Sequence, residues 1–356
     1  MKIVLAGAGT AGHIEPALAV AHVWREQNPG CTFEFVGTAT GLENKLVSSA
    51  GYSLSIIPKV TLPRSFSIKI LVTPIRFIQA LTRSIEIVSG ASCVIGFGGY
   101  VAAPIYLAAR IKGIPFVIHE ANAIPGWANK FGALLGGAMA VGKPVATGKF
   151  KSAEVVGLPL KPAITAALDL AKLDWNSARQ KAKSRLGLIS GKPLLLIMGG
   201  SQGSAAINSV VSTSLADLLV DFDLLHSVGG NNELPLATTG YQPVPYIEDI
   251  ATAYLAADVI IARSGAITCA EVNALGKYAI FVPLAIGNGE QAKNAEFLVK
   301  QGRATVLPQS EFSAQWLKHN LKDFLAKSAE FSAGNESDRA AAANIVALMR
   351  RHARIS

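Results

Sequence analysis

Short runs of β-branched and apolar residues alternate along the whole chain with longer stretches that are alanine-rich or carry apolar positions at helical spacing. In the first half the short runs predict strands at Lys2 to Ala6, Thr32 to Gly37, Ser53 to Pro58, Ser92 to Gly96, Pro115 to Glu120 and Ala138 to Val141. In the second half they fall at Pro193 to Met198, Asp223 to Ser227, Val259 to Ala262, Tyr278 to Val282 and Ala304 to Leu307. Wholly apolar strands separated by helices indicate parallel sheets covered on both faces, an α/β class. Val156 to Pro162, with two prolines and a glycine, stops regular structure and divides the chain into 1–157 and 158–337, followed by an alanine-rich, basic-ended helix at about 338–356.

Ile87 to Ala109 carries no charged residue and has the length of a membrane span. Gly96, Gly98, Gly99 and Pro104 interrupt it, and interrupted backbone in lipid leaves polar groups unsatisfied, so a buried strand, loop and helix is expected instead. Glycines at positions 7, 9 and 12 likewise break the N-terminal apolar run before it can act as a secretion signal, which implies a cytoplasmic chain. The 356 residues suit two domains. Lys and Arg total 33 against 24 Asp and Glu, a net charge of +9 that calls for an anionic partner: nucleic acid, phospholipid head groups or a phosphorylated substrate. Cys31, Cys93 and Cys269 form neither a disulfide framework nor a metal-ligand spacing.

Chemistry concentrates in glycine-rich turns that follow strands. Gly7 to His13 (GAGTAGH) and Gly199 to Ser204 (GGSQGS) each open a helical segment, where backbone N–H groups suit a phosphate. The first also matches the dinucleotide fingerprint, but Phe35-Val36-Gly37-Thr38 lacks the ribose-binding acid at the strand tip, and Glu34 lies inside the strand. A nicotinamide-dependent oxidoreductase therefore rests on that loop alone. His13 sits at a helix start, which disfavours imidazolium and suits it to accept a proton, unless it merely caps or packs the loop. Gly96 to Tyr100 is a third glycine loop, and His119 to Gly126 ends a strand in polar groups that either line a ligand or hold a turn. Arg263 to Glu271 runs from strand to helix, with Ser264 and Thr268 as donors and Glu271 as an acceptor for ribose hydroxyls or simply an acidic first turn. Glu290 to Asn294 is amide-rich and suited to sugar hydroxyls. From Ser67 to Val88, apolar residues stand among Lys69, Arg76 and Arg83, a pattern for an anionic membrane surface or for core packing.

Taken together, GAGTAGH, Gly96 to Tyr100, His119 to Gly126, GGSQGS, Pro245 to Ile247, Arg263 to Glu271 and Gly287 to Gln291 resemble, in order and over nearly the whole chain, the peptidoglycan N-acetylglucosaminyltransferase family known as MurG. The resemblance implies a GT-B fold: two Rossmann-like domains facing across a cleft, with the last helix returning to the first. It implies an inverting transfer of GlcNAc from UDP-GlcNAc to the C4 hydroxyl of the MurNAc of lipid I, giving lipid II. The donor set it implies is Asn122, Lys161, Ser201, Gln202, Ile247, Ala266, Ile267, Thr268, Glu271 and Gln291. Thr10, Ala11, Gly12, Gly98, Gly99 and Tyr100 would address the acceptor diphosphate, with His13 as base and Glu120 the alternative. No cofactor is required, a divalent metal being at most stimulatory, and no metal ligands or nucleic-acid partner are implied. The enzyme would work at the cytoplasmic face of the membrane as a peripheral protein, alongside the cell-wall synthesis machinery. Lys161 for arginine, Ala11 for glycine, Ala121 for glutamine and Glu290 for the first of two glutamines depart from the family pattern. A related glycolipid glycosyltransferase, using a diacylglycerol acceptor, would share the fold.

Overall fold

The computed structural model describes residues 1–60, 69–188, 190–284, 289–328 and 334–355. They form two compact units, Met1–Lys161 with Asp338–Ser356, and Pro162–Ser337. In chain order the first contains β1 (Lys2–Ala6), α1 (Ala11–Gln27), β2 (Thr32–Gly37), α2 (Glu43–Ser49), β3 (Ser53–Ile56), α3 (Lys69–Val88), β4 (Cys93–Gly96), α4 (Ala102–Ile111), β5 (Phe116–Glu120), α5 (Trp127–Leu134), β6 (Ala138–Val141) and β7 (Glu154–Val155). All neighbouring strands pair in parallel, in the order β3-β2-β1-β4-β5-β6-β7.

The second unit contains α6 (Pro162–Leu173), α7 (Trp175–Arg185), β8 (Leu194–Met198), α8 (Ala205–Asp221), β9 (Asp223–Ser227), β10 (Tyr241–Val244), α9 (Ile250–Ala256), β11 (Val259–Ala262), α10 (Ala266–Ala274), β12 (Ala279–Phe281), α11 (Glu290–Lys300), β13 (Ala304–Val306) and α12 (Ala314–Ser328). Its strands are also parallel, ordered β10-β9-β8-β11-β12-β13. A final helix, α13 (Ala341–Ala353), packs on α1 in the first unit.

The apolar strands are explained by burial on both faces. Ile3 and Leu5 of β1 join Ile14, Val20 and Trp24 of α1 and Ile345 and Met349 of α13, while Val4 and Ala6 point into a separate core with Val94, Ile105 and Tyr106. A period of two thus sends alternate residues into different cores, and neither face tolerates a polar run. The uncharged stretch from Ile87 divides as its glycines dictate, into the end of α3, strand β4, a loop and α4. Among the described residues, no helix is long and apolar enough to cross a membrane.

Two strands lie outside the sequence expectation. β7 has two exposed residues, and β10 contains Pro243, which removes a ladder donor. Both occupy sheet edges, where a short or proline-bearing strand is tolerated and the apolar signal is weak. The division of the chain also falls four residues later than Gly157, after Lys161. Val156, Leu158 and Leu160 are buried, the Val156 N–H donates to the Val141 carbonyl at 3.0 Å and the Leu158 N–H to Asp338 Oδ1 at 3.0 Å. Proline and glycine stop secondary structure there without freeing the backbone from the first unit.

Candidate functional site

In each unit the strand order reverses at a parallel pair, β1/β4 in one and β8/β11 in the other. Loops leaving the carboxyl ends of such a pair diverge to opposite faces of the sheet and leave room for a ligand. The glycine-rich turns of the sequence are those loops. Ala6 pairs with Gly96 and Met198 with Ala262, so the two loops of each unit start level with one another.

In the first unit, Gly7–Thr10 leads into α1 and Phe97–Val101 into α4. Gly99 has φ +81°, and a Cβ there would lie 2.5 Å from the Ala8 carbonyl oxygen. Only glycine brings the two loops this close. His13, partly buried in the first turn of α1, has Nδ1 3.1 Å from the Ala8 carbonyl and 3.3 Å from Thr10 Oγ1. A carbonyl can only accept, so Nδ1 carries the proton and Nε2 is left as an acceptor. Nε2 faces Gly98, where a Cβ would stand 3.2 Å away. Desolvation lowers the His13 pKa below its ordinary value, and the Ala8 bond together with the charges of Glu120 and Glu43 offsets part of that fall. Tyr100 is exposed, with the Lys59 ammonium 4.8 Å from its ring centre. Thr10 is exposed, and Ala11 and Gly12 are partly exposed at the start of α1.

Glu120, at the end of β5, is buried, and its carboxylate is taken up by four donors. Oε1 accepts from the Asn122 N–H at 2.9 Å and Asn122 Nδ2 at 3.1 Å; Oε2 accepts from the Gly126 N–H and Asn129 Nδ2, each at 2.9 Å. This carboxylate organises the 120–126 turn and sets Asn122 within it. Neighbouring His119 is core: Nε2 meets the Gly157 carbonyl at 3.1 Å and burial lowers its pKa to about 4. Lys161, which the family resemblance sets among the donor ligands, is the last residue of the first unit before Pro162 and is paired with Glu15 of α1 at 2.8 Å.

In the second unit, Gly199–Gly203 leads from β8 to Ser204, the N-cap of α8, whose Oγ accepts from the Ile207 N–H at 3.3 Å. Gly203 has φ +76°, and a Cβ there would fall 2.1 Å from the Val228 carbonyl oxygen. Ser201 is partly exposed and Gln202 exposed at the loop's tip. Arg263, at the end of β11, is 8% exposed. Its guanidinium donates to the Val282 and Pro283 carbonyls at 2.9 Å, and to Ser204 Oγ and Gln309 Oε1 at 2.7 Å. These acceptors are all neutral, so a desolvated positive charge stands beside the start of α8, an arrangement suited to an anion.

Gly265 starts α10 without a side-chain cap; Ala266 is buried, and Ile267 and Thr268 are partly exposed. Glu271 is buried on the same helix and accepts from Tyr254 Oη at 3.0 Å. Ile247 is nearly buried after β10, and Gln291 Oε1 accepts from the Leu284 N–H at 2.9 Å in the first turn of α11. Gly287 and Asn288 of the amide-rich motif, and Ser67 and Ile68 ahead of α3, lie outside the described residues. The sequence marks Arg263 only as part of its motif and gives no sign of Glu43, whose Oε2 accepts from the Gly9 N–H at 3.1 Å. An acid in a helix's first turn is so common that nothing local marks this one.

Two Rossmann-like sheets, each with anion-suited turns at its switch point, make up the GT-B fold. The chain matches the Glycosyltransferase family 28 N-terminal domain over residues 3–136 and the Glycosyltransferase family 28 C-terminal domain over residues 194–349. The UDP-N-acetylglucosamine--N-acetylmuramyl-(pentapeptide) pyrophosphoryl-undecaprenol N-acetylglucosamine transferase of Corynebacterium glutamicum (strain R) is 45% identical over 91% of this chain and 89% of its own. The enzyme of that name from Thermobifida fusca (strain YX) is 40% identical over 98% and 95%. The crystal structure of Acinetobacter baumannii MurG covers 98% of this chain and 99% of its own, with 28% identity and a TM-score of 0.68. The chain belongs to this family of UDP-N-acetylglucosamine transferases, the MurG family.

Proposed function

We propose that this protein moves N-acetylglucosamine from UDP-N-acetylglucosamine to the C4 hydroxyl of the N-acetylmuramoyl sugar on pyrophosphoryl-undecaprenol, converting lipid I to lipid II. The observation that carries this reading is the shared name of relatives 40 to 45% identical over at least nine-tenths of the chain. The second unit holds the donor: the Gly199–Gly203 turn with Ser201 and Gln202, the α10 start with Ala266, Ile267 and Thr268, and the Arg263 charge meet the diphosphate. Ile247 contacts uracil, Glu271 takes the ribose hydroxyls and Gln291 the sugar. The first unit holds the acceptor, with Thr10, Ala11, Gly12, Gly98, Gly99 and Tyr100 at its diphosphate and Asn122 near the reacting sugars.

The transfer is a single displacement with inversion. The C4 oxygen forms its bond to the anomeric carbon as the bond to UDP breaks, and the C4 hydroxyl proton passes to His13 Nε2. Charge developing on UDP meets helix-start N–H groups as fixed donors and the buried guanidinium as a fixed positive charge, its Nη hydrogens already given to protein acceptors, and neither needs to reorganise. Glu120, with its oxygens taken by the turn, keeps Asn122 in place and leaves the proton to His13.

The acceptor's lipid requires a peripheral approach to the membrane. α3 packs on α4 and α4 on α5, and these helices expose Ile75, Ile78, Ile111, Trp127 and Leu134, with Arg76, Arg110 and Lys130 exposed on the same helices and Lys112 exposed just after α4. Exposed apolar side chains and cations on packed helices suit an anionic leaflet. UDP release from UDP-N-acetylglucosamine is expected with a lipid I analogue and absent with diacylglycerol or no acceptor. Turnover on diacylglycerol, or none on the lipid I analogue, refutes the assignment.

A further inference from the structure

The Ala8–Gly9 peptide is held at both ends. Its carbonyl accepts from His13 Nδ1 at 3.1 Å, and its N–H donates to Glu43 Oε2 at 3.1 Å. Glu43 is fully buried in the first turn of α2, and its other oxygen accepts from the Thr38 N–H at 2.7 Å and Thr38 Oγ1 at 2.9 Å. A Cβ at Gly41 would lie 2.0 Å from the carboxylate, so the preceding turn is shaped around it. Because a peptide is planar, fixing the direction of the Gly9 N–H fixes the Ala8 carbonyl. Something must fix it, since Gly9 has φ +91° and a peptide beside glycine turns over at little cost.

We infer that Glu43 is a positioning residue for the proposed transfer, acting on His13 through the single peptide Ala8–Gly9. Its carboxylate aims that peptide, the peptide's carbonyl holds the proton on Nδ1, and Nε2 is thereby kept as the acceptor. A triad carboxylate does the same to a histidine by direct contact; here one peptide unit stands between. The negative charge also favours the imidazolium that forms when the acceptor proton arrives. Among the described residues the charged groups acting on His13 are Glu120 from β5 and Glu43 from α2; on its own helix Glu15 is paired with Lys161, and Lys59 lies over the Tyr100 ring.

The inference rests on His13 being the base, yet one test does not depend on turnover. Glu43→Gln keeps the shape but in one of its two amide orientations turns an N–H toward Gly9, so the Gly9 N–H loses its acceptor and the peptide is held in only part of the molecules. In ¹⁵N-labelled full-length protein, the histidine long-range NMR pattern of wild type, assigned by its loss in His13→Ala, is expected to be Nδ1–H. In Glu43→Gln it becomes a mixture of tautomers. Turnover then falls about tenfold to a hundredfold, the range that misplacement of a reacting group produces, with KM for UDP-N-acetylglucosamine unchanged. Thr38→Ala, which removes one bond to the carboxylate, shifts both readouts the same way by less, and serves if Glu43→Gln does not fold. An Nε2–H wild type, or variants with wild-type tautomer and turnover within twofold, overturns the inference. The expected tautomer change in a protein that transfers no sugar refutes the proposed function and leaves the relay standing.

Discussion

One ring nitrogen of His13 is committed to the Ala8 carbonyl, so in the proposed role the residue can take a proton on the other only while neutral. Burial lowers its pKa, and the N-terminal end of α1 opposes a positive charge in the same direction. Turnover is therefore expected to rise with pH through one ionisation centred below about 6.5, the ordinary histidine value, and to stay flat across neutral pH. A pH profile at saturating donor and acceptor checks this; a midpoint above about 7 would mean that another group is being titrated. His13 was legible in the sequence because it follows the last glycine of a recognisable loop. Glu43 was not, because its role depends on a peptide 34 positions away in sequence.

Among the elements, the strands present the glycine turns to which the proposal assigns the ligands. Alanine at Gly99 would drive a Cβ against the Ala8 carbonyl, and alanine at Gly203 would drive one against Val228. Each also forces a left-handed backbone on a side chain, a strain of about 1–3 kcal/mol. Gly99→Ala is expected to cost at least about tenfold in turnover with UDP affinity unchanged, and Gly203→Ala to weaken UDP binding by a similar factor. Calorimetric titration with UDP separates them, and a Gly99→Ala protein that binds UDP poorly would count against the division of ligands.

A different element carries a stability effect. Lys277 Nζ donates to the Leu255 and Ala257 carbonyls at the end of α9, at 3.0 and 2.8 Å, and lies 4.5 Å from the Trp175 ring centre. Burial lowers its pKa to about 7. The unfolded chain keeps that proton up to about pH 10.5, so between these values it binds more protons than the folded one and stability rises with pH. Thermal unfolding from pH 7 to 9.5 should show wild type gaining on Lys277→Met; parallel curves would place the lysine's ionisation elsewhere. The strands and the glycine turns of both sheets could be read from apolar runs and punctuation. Edge strands β7 and β10, and the buried 156–160 segment, could not, because short or proline-bearing strands at an edge and a loop tied down by Asp338 carry no periodic signal.

At the scale of the molecule, the proposal gives each unit half of a bisubstrate reaction; anion-suited turns stand at each switch point, with the buried carboxylates Glu43 and Glu120 in the first unit and the buried Arg263 and Glu271 in the second. The net charge of +9 and the exposed apolar residues of α3, α4 and α5 fit an acceptor anchored in an anionic membrane. Sequence alone left a dinucleotide oxidoreductase open on the first glycine loop; a second such sheet and the family match close that reading. The most direct test of the whole account is transfer of labelled N-acetylglucosamine from UDP-N-acetylglucosamine to a lipid I analogue by wild type and His13→Ala, with UDP affinity measured on both. The account predicts product from wild type, a loss of about a hundredfold or more in the variant, as removal of a general base entails, and equal UDP affinity. Undiminished transfer by His13→Ala would contradict it.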